Sequence, residues 1–211
     1  MEDTEILNLW KTYDKRLEQS LLINKQNIED ITRLKVRSLL TSVTPLKIFT
    51  VLLGILWVGF LDVLIINLLH SASLFFLISA GIQSMLTTLA IGIYLYQLIL
   101  ISQSDIDKPI LVMQKKTVSL KISSLWIDRI LFLQLPVWTT FYWNKAMFEN
   151  GSGFLIVIQI IVTVIFASAA IWLFFNIKFE NRNKRWIRFI FSGKEWNTVV
   201  RAMQLLNEKM E

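Results

Sequence analysis

Hydrocarbon tolerates an ionisable side chain only where something stabilises it, so a carboxylate inside an apolar run is the first place to look for chemistry. Asp62 is that group, and no other Asp, Glu, Lys or Arg falls within residues 48–69. A titrating carboxyl there would couple proton or ion movement to a conformational change. A neutral one would hydrogen-bond to nearby amides and hydroxyls and join helices. At 1.5 Å per residue Asp62 lies about 10 Å from the outer end of its run, and the same arithmetic puts Gln83, Thr139 or Thr140, and Gln159 at similar depth. Transporters usually bring more intramembrane charge, broken helices or internal repeats. None is legible here, so the expectation is a polar layer that glues helices together. His70 follows two turns beyond Asp62 on nearly the same face, and Lys145 is the nearest fixed cation.

Other chemistries find fewer groups. The chain has no cysteine and one histidine, which excludes thiolate catalysis, disulfides and cysteine-ligated metals and argues against a histidine-built centre. Asp105 and Asp107 precede Pro109. Two carboxylates alone do not enclose a cation, whereas acids before a first-turn proline are a helix-start signature. Membrane-embedded hydrolases need Ser/His pairs, paired aspartates or several converging acids and histidines. No catalytic residue, metal or cofactor is expected. Asp128 and Arg129 read as an interfacial charge pair.

The elements that must position these groups follow from composition and charge. Among 211 residues 54% are hydrophobic and 18% charged, against about 25% charged in soluble domains, and the apolar residues come in blocks. The first block is long enough to cross a bilayer, residues 74–101 are longer than needed, and 154–177 form a third clear span. Residues 127–145 are weaker, with Asp128 and Arg129 at the start, Gln134 and Pro136 inside, and Trp138, Phe141, Tyr142 and Trp143 as an aromatic belt. Of 22 Lys and Arg, eight precede Ile48, four lie between Ser102 and Ser124, and eight follow Ile177. That alternation follows the positive-inside rule and accounts for the basic balance without nucleic acid. Two basic tails require an even number of spans, so the expectation is four spans with both termini cytoplasmic. The polar start, Met-Glu-Asp-Thr-Glu, is not expected to act as a cleavable signal.

Residues 3–40 read as an amphipathic helix with Asp3, Thr4 and Glu5 at its start. Trp10, Tyr13, Leu17, Leu21, Ile28 and Ile31 recur at helical spacing. In a heptad frame Leu17, Leu21, Asn24, Ile28 and Ile31 form a seam, with Asn24 as a polar member that would set register and partner number. Residues 41–45 should end the helix ahead of Pro45. Ala80, Ser84, Thr88 and Gly92 recur every fourth residue as a small face for close packing. Residues 110–120 predict a short amphipathic helix carrying Lys115, Lys116 and Lys121. After the last span, Lys178, Arg182, Lys184, Arg185 and Arg188, with Trp186 and Phe189 interleaved, fit anionic headgroups. Ser192-Gly193 breaks the chain before a final amphipathic stretch, whose Trp196, Met203 and Leu206 are expected to face the amino-terminal seam.

Two patches resemble a family of small four-span membrane proteins of Bacteroidota without an established activity. One is Leu9-Trp10-Lys11-x-Tyr13-Asp14-Lys15-x-Leu17-Glu18-x-x-Leu21-x-Ile23-Asn24. The other is Ser104-Asp105-Ile106-Asp107-Lys108-Pro109-Ile110, continuing through Gln114-Lys115-Lys116 to Leu120-Lys121. Family members often carry an aromatic residue where Lys108 stands, and elsewhere only the hydrophobic profile is similar. Such proteins are often encoded beside sigma factors, so the resemblance implies a regulatory role in a bacterial inner membrane and supplies no catalytic residues.

The reading is therefore an all-α polytopic membrane protein. Its parts are a coiled-coil-like helix (1–44), a first transmembrane hairpin (45–101), a cytoplasmic middle segment (102–125), a second hairpin (126–177) and a basic carboxy-terminal segment (178–211). The expected role is a non-enzymatic regulatory or scaffold protein that presents a cytoplasmic helical layer to another copy or a protein partner. A small transporter, channel or transport subunit using the layer around Asp62 is the alternative.

Overall fold

A computed structural model of the chain describes residues 2–103, 109–181, 184, 185, 187 and 193–207. Every regular element among them is helical: α1 (Glu2–Thr41), α2 (Thr44–Leu68), α3 (Leu74–Ser102), α4 (Ile110–Phe132), α5 (Leu135–Thr140), α6 (Lys145–Asn150), α7 (Gly153–Asn176), a single 3-10 turn (Phe179–Asn181), and α8 (Lys194–Asn207). Three stretches are long and apolar enough to cross a membrane: Leu7–Leu68, α3 and α7. Only 11%, 22% and 6% of their most apolar windows are buried. Apolar side chains that face outward over whole helices suit hydrocarbon, where the helix itself satisfies every backbone group.

Thr41 ends α1 as the sequence predicts, with the Thr41 and Ser42 hydroxyls donating to the carbonyls of Arg37 and Leu39. The interruption is only two residues wide. Val43 stays near helical geometry (φ −98°, ψ −7°), and α2 opens with Pro45 in its first turn, where proline's missing N–H is harmless.

α2 turns back into α3 at Ser73, whose side chain accepts from the Phe76 amide at 3.2 Å and donates to the Trp143 carbonyl at 2.7 Å. α2 and α3 approach closely at Gly54, where a Cβ would stand 3.0 Å from Ile91 Cγ1. The four-residue stripe expected to do this work does so only in its first half, where Ala80 is buried and Ser84 reaches Asp62 on α2. Thr88 is exposed, and a Cβ on Gly92 would meet open space. A strict spacing of four drifts about 40° per step around the helix and walks off the contact face. Gln83, Ala90 and Gln97, buried at seven-residue intervals, drift only about 20° per step.

The third apolar run also differs from the expectation. α4 is one helix from Ile110 to Phe132, with no separate short helix at 110–120, so the boundary at 125–126 falls inside it. Leu133 and Gln134 then interrupt the helix before α5. Pro136 is the cause, because it has no N–H for the carbonyl four residues back. α4 and α5 run antiparallel to α3 over nearly its full length. Gln97 pairs with Ser123, Thr87 with Gln134, Ser79 with Thr140 and Ser73 with Trp143. α7 returns alongside, tied by Gln159 to Thr139 and by Arg129 to Ile177.

At one end of the apolar helices lies a compact core. Val36, Leu40 and Val43 pack with Ile101, Met113, Leu120, Val199, Ala202 and Leu206. A smaller cluster joins Leu125, Ile177 and Ile187, with Trp196 against it. α8 thus docks on the last turns of α1 and on the start of α4.

Candidate functional site

Four features carry polar or unpartnered groups. The first is α1 before residue 32. Trp10 is 67% exposed, Leu17 and Leu21 are each 61% exposed, and Ile28 and Ile31 are also open. Asn24 is exposed on the same stripe. The expectation that Trp196, Met203 and Leu206 face this seam is corrected. Leu206 packs with Val36 and Leu40, Trp196 lies against the second cluster, and Lys121 Nζ reaches Met203 Sδ at 3.8 Å. Heptad spacing explains the change: beyond Ile31 the next seam positions are Lys35 and Ser38. The stripe that α1 buries is Thr32, Val36 and Leu40, continued by Val43 just beyond the helix, roughly a quarter-turn around the helix at 100° per residue. Two apolar faces meet on one helix, and the chain covers one of them.

The second feature is a buried polar junction that joins the start of α2 and the last turns of α3 to the middle of α4, which the sequence reading did not single out. Lys47 is 1% exposed. Its Nζ donates to Gln97 Oε1 at 2.5 Å and lies 5.1 Å from the centre of the Tyr94 ring. Gln97 Nε2 in turn donates to Ser123 Oγ at 2.9 Å and Ser124 Oγ at 3.2 Å, and both hydroxyls donate to the Leu120 carbonyl. Ring face and amide oxygen both favour the cation, so a chain of hydrogen bonds locks α2 to α4 through α3. The available signal was positional. Lys47 borders the first apolar run, and Gln97 stands at matching depth in the next. Arg129 performs a similar service at the end of α7. Its Nε and Nη2 both donate to the Ile177 carbonyl, at 2.9 and 2.6 Å, with the Trp126 ring 5.2 Å away. A cation at a helix carboxy-terminus complements the macrodipole.

The third feature is the layer around Asp62. Asp62 is exposed, and its Oδ1 accepts from Ser84 Oγ at 2.8 Å, linking α2 to α3. Gln159 Nε2 donates to the Thr139 carbonyl at 2.7 Å, linking α7 to α5, and Thr139 Oγ1 donates to the Pro136 carbonyl. The expected layer is therefore resolved into separate interhelical pairs. His70 is exposed in the turn after α2, and Lys145 forms an ion pair with Glu149 at 3.4 Å on α6. Neither is held beside Asp62 by a hydrogen bond or ion pair shown here.

The fourth is a cleft of about 660 Å³ between α2 and the α4–α5 break, floored by α3. Trp57 and Trp138 stack across it with ring centres 6.3 Å apart. Gln134 Nε2 donates to Thr87 Oγ1 at 3.0 Å, and Thr87 Oγ1 donates to the Gln83 carbonyl at 2.8 Å. Gln83 lines the cleft and is 1% exposed, and its Oε1 has no hydrogen-bond partner among the described residues.

In the basic tail Lys178, Lys184 and Arg185 are exposed, while Arg182, Arg188, Trp186 and Phe189 lie outside the described residues. Asp105, Asp107 and Lys108 do as well. Among the described residues no group of three or more acids and histidines converges as a metal site. Compared with protein-family models, with curated proteins and with solved structures, the chain matches none.

Proposed function

We propose that this chain is a non-enzymatic inner-membrane scaffold of four spans, with both termini in the cytoplasm, that pairs with a second copy of itself through α1. The observation that carries the reading is the uncovered apolar seam of α1 on a helix whose last turns are locked into the α4–α8 layer. A long helix stays helical in water chiefly by packing its apolar face, and copies anchored in one membrane share an orientation that suits a parallel seam. α4–α5 supports the fourth crossing because it accompanies α3 along its length, and the charge alternation puts the α1–α4–α8 layer inside. Lys178, Lys184 and Arg185, with Arg182 and Arg188, would then hold anionic headgroups. The resemblance adds a regulatory role, with the paired α1 helices as the surface read by cytoplasmic machinery.

Two full-length copies carrying different tags should co-purify from detergent, and the double substitution Leu17→Glu/Leu21→Glu should abolish this while melting temperature holds. Recovery of single copies from the unaltered protein contradicts the reading. The helix break at Leu133–Gln134, beside a polar group in a cleft, favours the transporter alternative. Ion-dependent flux in liposomes that Asp62→Asn abolishes would place it first.

A further inference from the structure

We infer that the cleft between α2, α3 and the α4–α5 break is a binding site for a membrane-resident alcohol, an amphiphile with a hydrocarbon body and a hydroxyl that donates to Gln83 Oε1. The inference stands apart from the pairing of α1. Buried side-chain oxygens are nearly always hydrogen-bonded, and leaving one unpaired costs roughly 1–3 kcal/mol. Gln83 Oε1 is buried and unpaired among the described residues. It belongs to a residue that lines an apolar cleft.

The chemistry of the occupant follows from the walls. Leu53, Phe60, Ala90, Ile91 and Leu131 offer apolar contact, and the stacked Trp57 and Trp138 give flat faces against which a chain or fused ring can lie. The volume of about 660 Å³ falls in the range of roughly 300–1,000 Å³ typical of small-molecule sites. Depth then selects among lipids. Gln83 is nine residues into α3, about 14 Å from its outer end, close to the middle of a hydrocarbon core about 30 Å thick. At that depth a phospholipid presents only its tails, which have no donor. An occupant that satisfies Gln83 must carry a donor on or at the end of an otherwise apolar body, and a single hydroxyl is the smallest such group.

The α4–α5 break makes the site possible. The interruption ahead of Pro136 sets Gln134 against Thr87, whose hydroxyl is committed to the Gln83 carbonyl. Thr87 therefore spends its proton on the Gln83 backbone, and the side-chain oxygen of Gln83 is left for a ligand.

The test uses full-length protein in detergent and two matched probes, 9,10-dibromo-octadecanol and its methyl ether. Bromine on the chain quenches Trp57 and Trp138, and only the alcohol can donate. Saturable quenching by the alcohol should occur at a concentration at least tenfold lower than for the ether. Gln83→Leu, which keeps the bulk and removes the acceptor, should bring the two probes to the same midpoint. Thr50→Phe narrows the cleft without touching Gln83 and should weaken both probes while preserving the preference. Equal midpoints in the unaltered protein, or a preference that survives Gln83→Leu, would overturn the inference and leave water as the partner of Gln83.

Discussion

Lys47 shows how a single charge can be held at the edge of an apolar bundle. Two of its partners come from another helix: the Gln97 oxygen at 2.5 Å and the Tyr94 ring. Hydrogen bonds to charged groups contribute roughly 1.5–3 kcal/mol, so Gln97→Leu should lower stability by about that much in a detergent melt. Ser124→Ala, which removes the longer of the two serine contacts, should cost less than half as much. Equal melting of the two variants would show that the junction does not depend on the amide. Asp62 behaves differently because it is exposed and has one hydroxyl partner. The contact is exposed and an amide oxygen can accept from Ser84 in its place, so Asp62→Asn should insert normally and change stability by less than about 0.5 kcal/mol. A severe loss on melting would mean that the charge itself is structural. Asp62 stands out in the sequence because it interrupts an apolar run, whereas Lys47 is hidden among the basic residues that precede the first apolar run. Composition and charge reveal which residues are unusual for their surroundings. They do not reveal which unusual residues meet.

At the scale of elements, spacing was informative wherever one helix face has one neighbour. The limits of α1, α2, α3 and α7 follow from apolar runs, prolines and caps that act locally. α4 and α5 were harder to read, because a helix that starts in the α1–α4–α8 layer and ends in the apolar bundle changes its surroundings midway. Its basic start and apolar end therefore resemble two elements. The four-residue stripe on α3 leaves the contact after Ser84 for a geometric reason, and the contrast is measurable. Gly54→Leu must displace Ile91 from the α2–α3 contact and should destabilise by roughly 1–3 kcal/mol, the usual cost of overpacking. Gly92→Leu enters open space and should leave the melting temperature unchanged or slightly raised. A larger loss at Gly92 than at Gly54 would mean that the α2–α3 interface is placed wrongly.

For the whole molecule, an apolar helical bundle carries a layer of α1, α4 and α8 at one end, and α1 extends out of that layer as a helix with an uncovered seam. The amphipathic character of α1 and α8 and the expectation that they meet came from periodicity, yet the face of α1 that α8 covers did not. The seam of α1 and the stripe it buries overlap in sequence, and only the position of α8 shows which of them the chain covers itself. The absence of cysteine makes the remaining face directly testable. Single cysteines at Leu17, Leu21, Asn24 and Ile28, and on the opposite face at Gln19 and Gln26, can be oxidised in native membranes. Disulfide-linked dimers are expected at the four seam positions and not at Gln19 or Gln26. Monomers at every seam position, or equal crosslinking on both faces, would contradict pairing through α1.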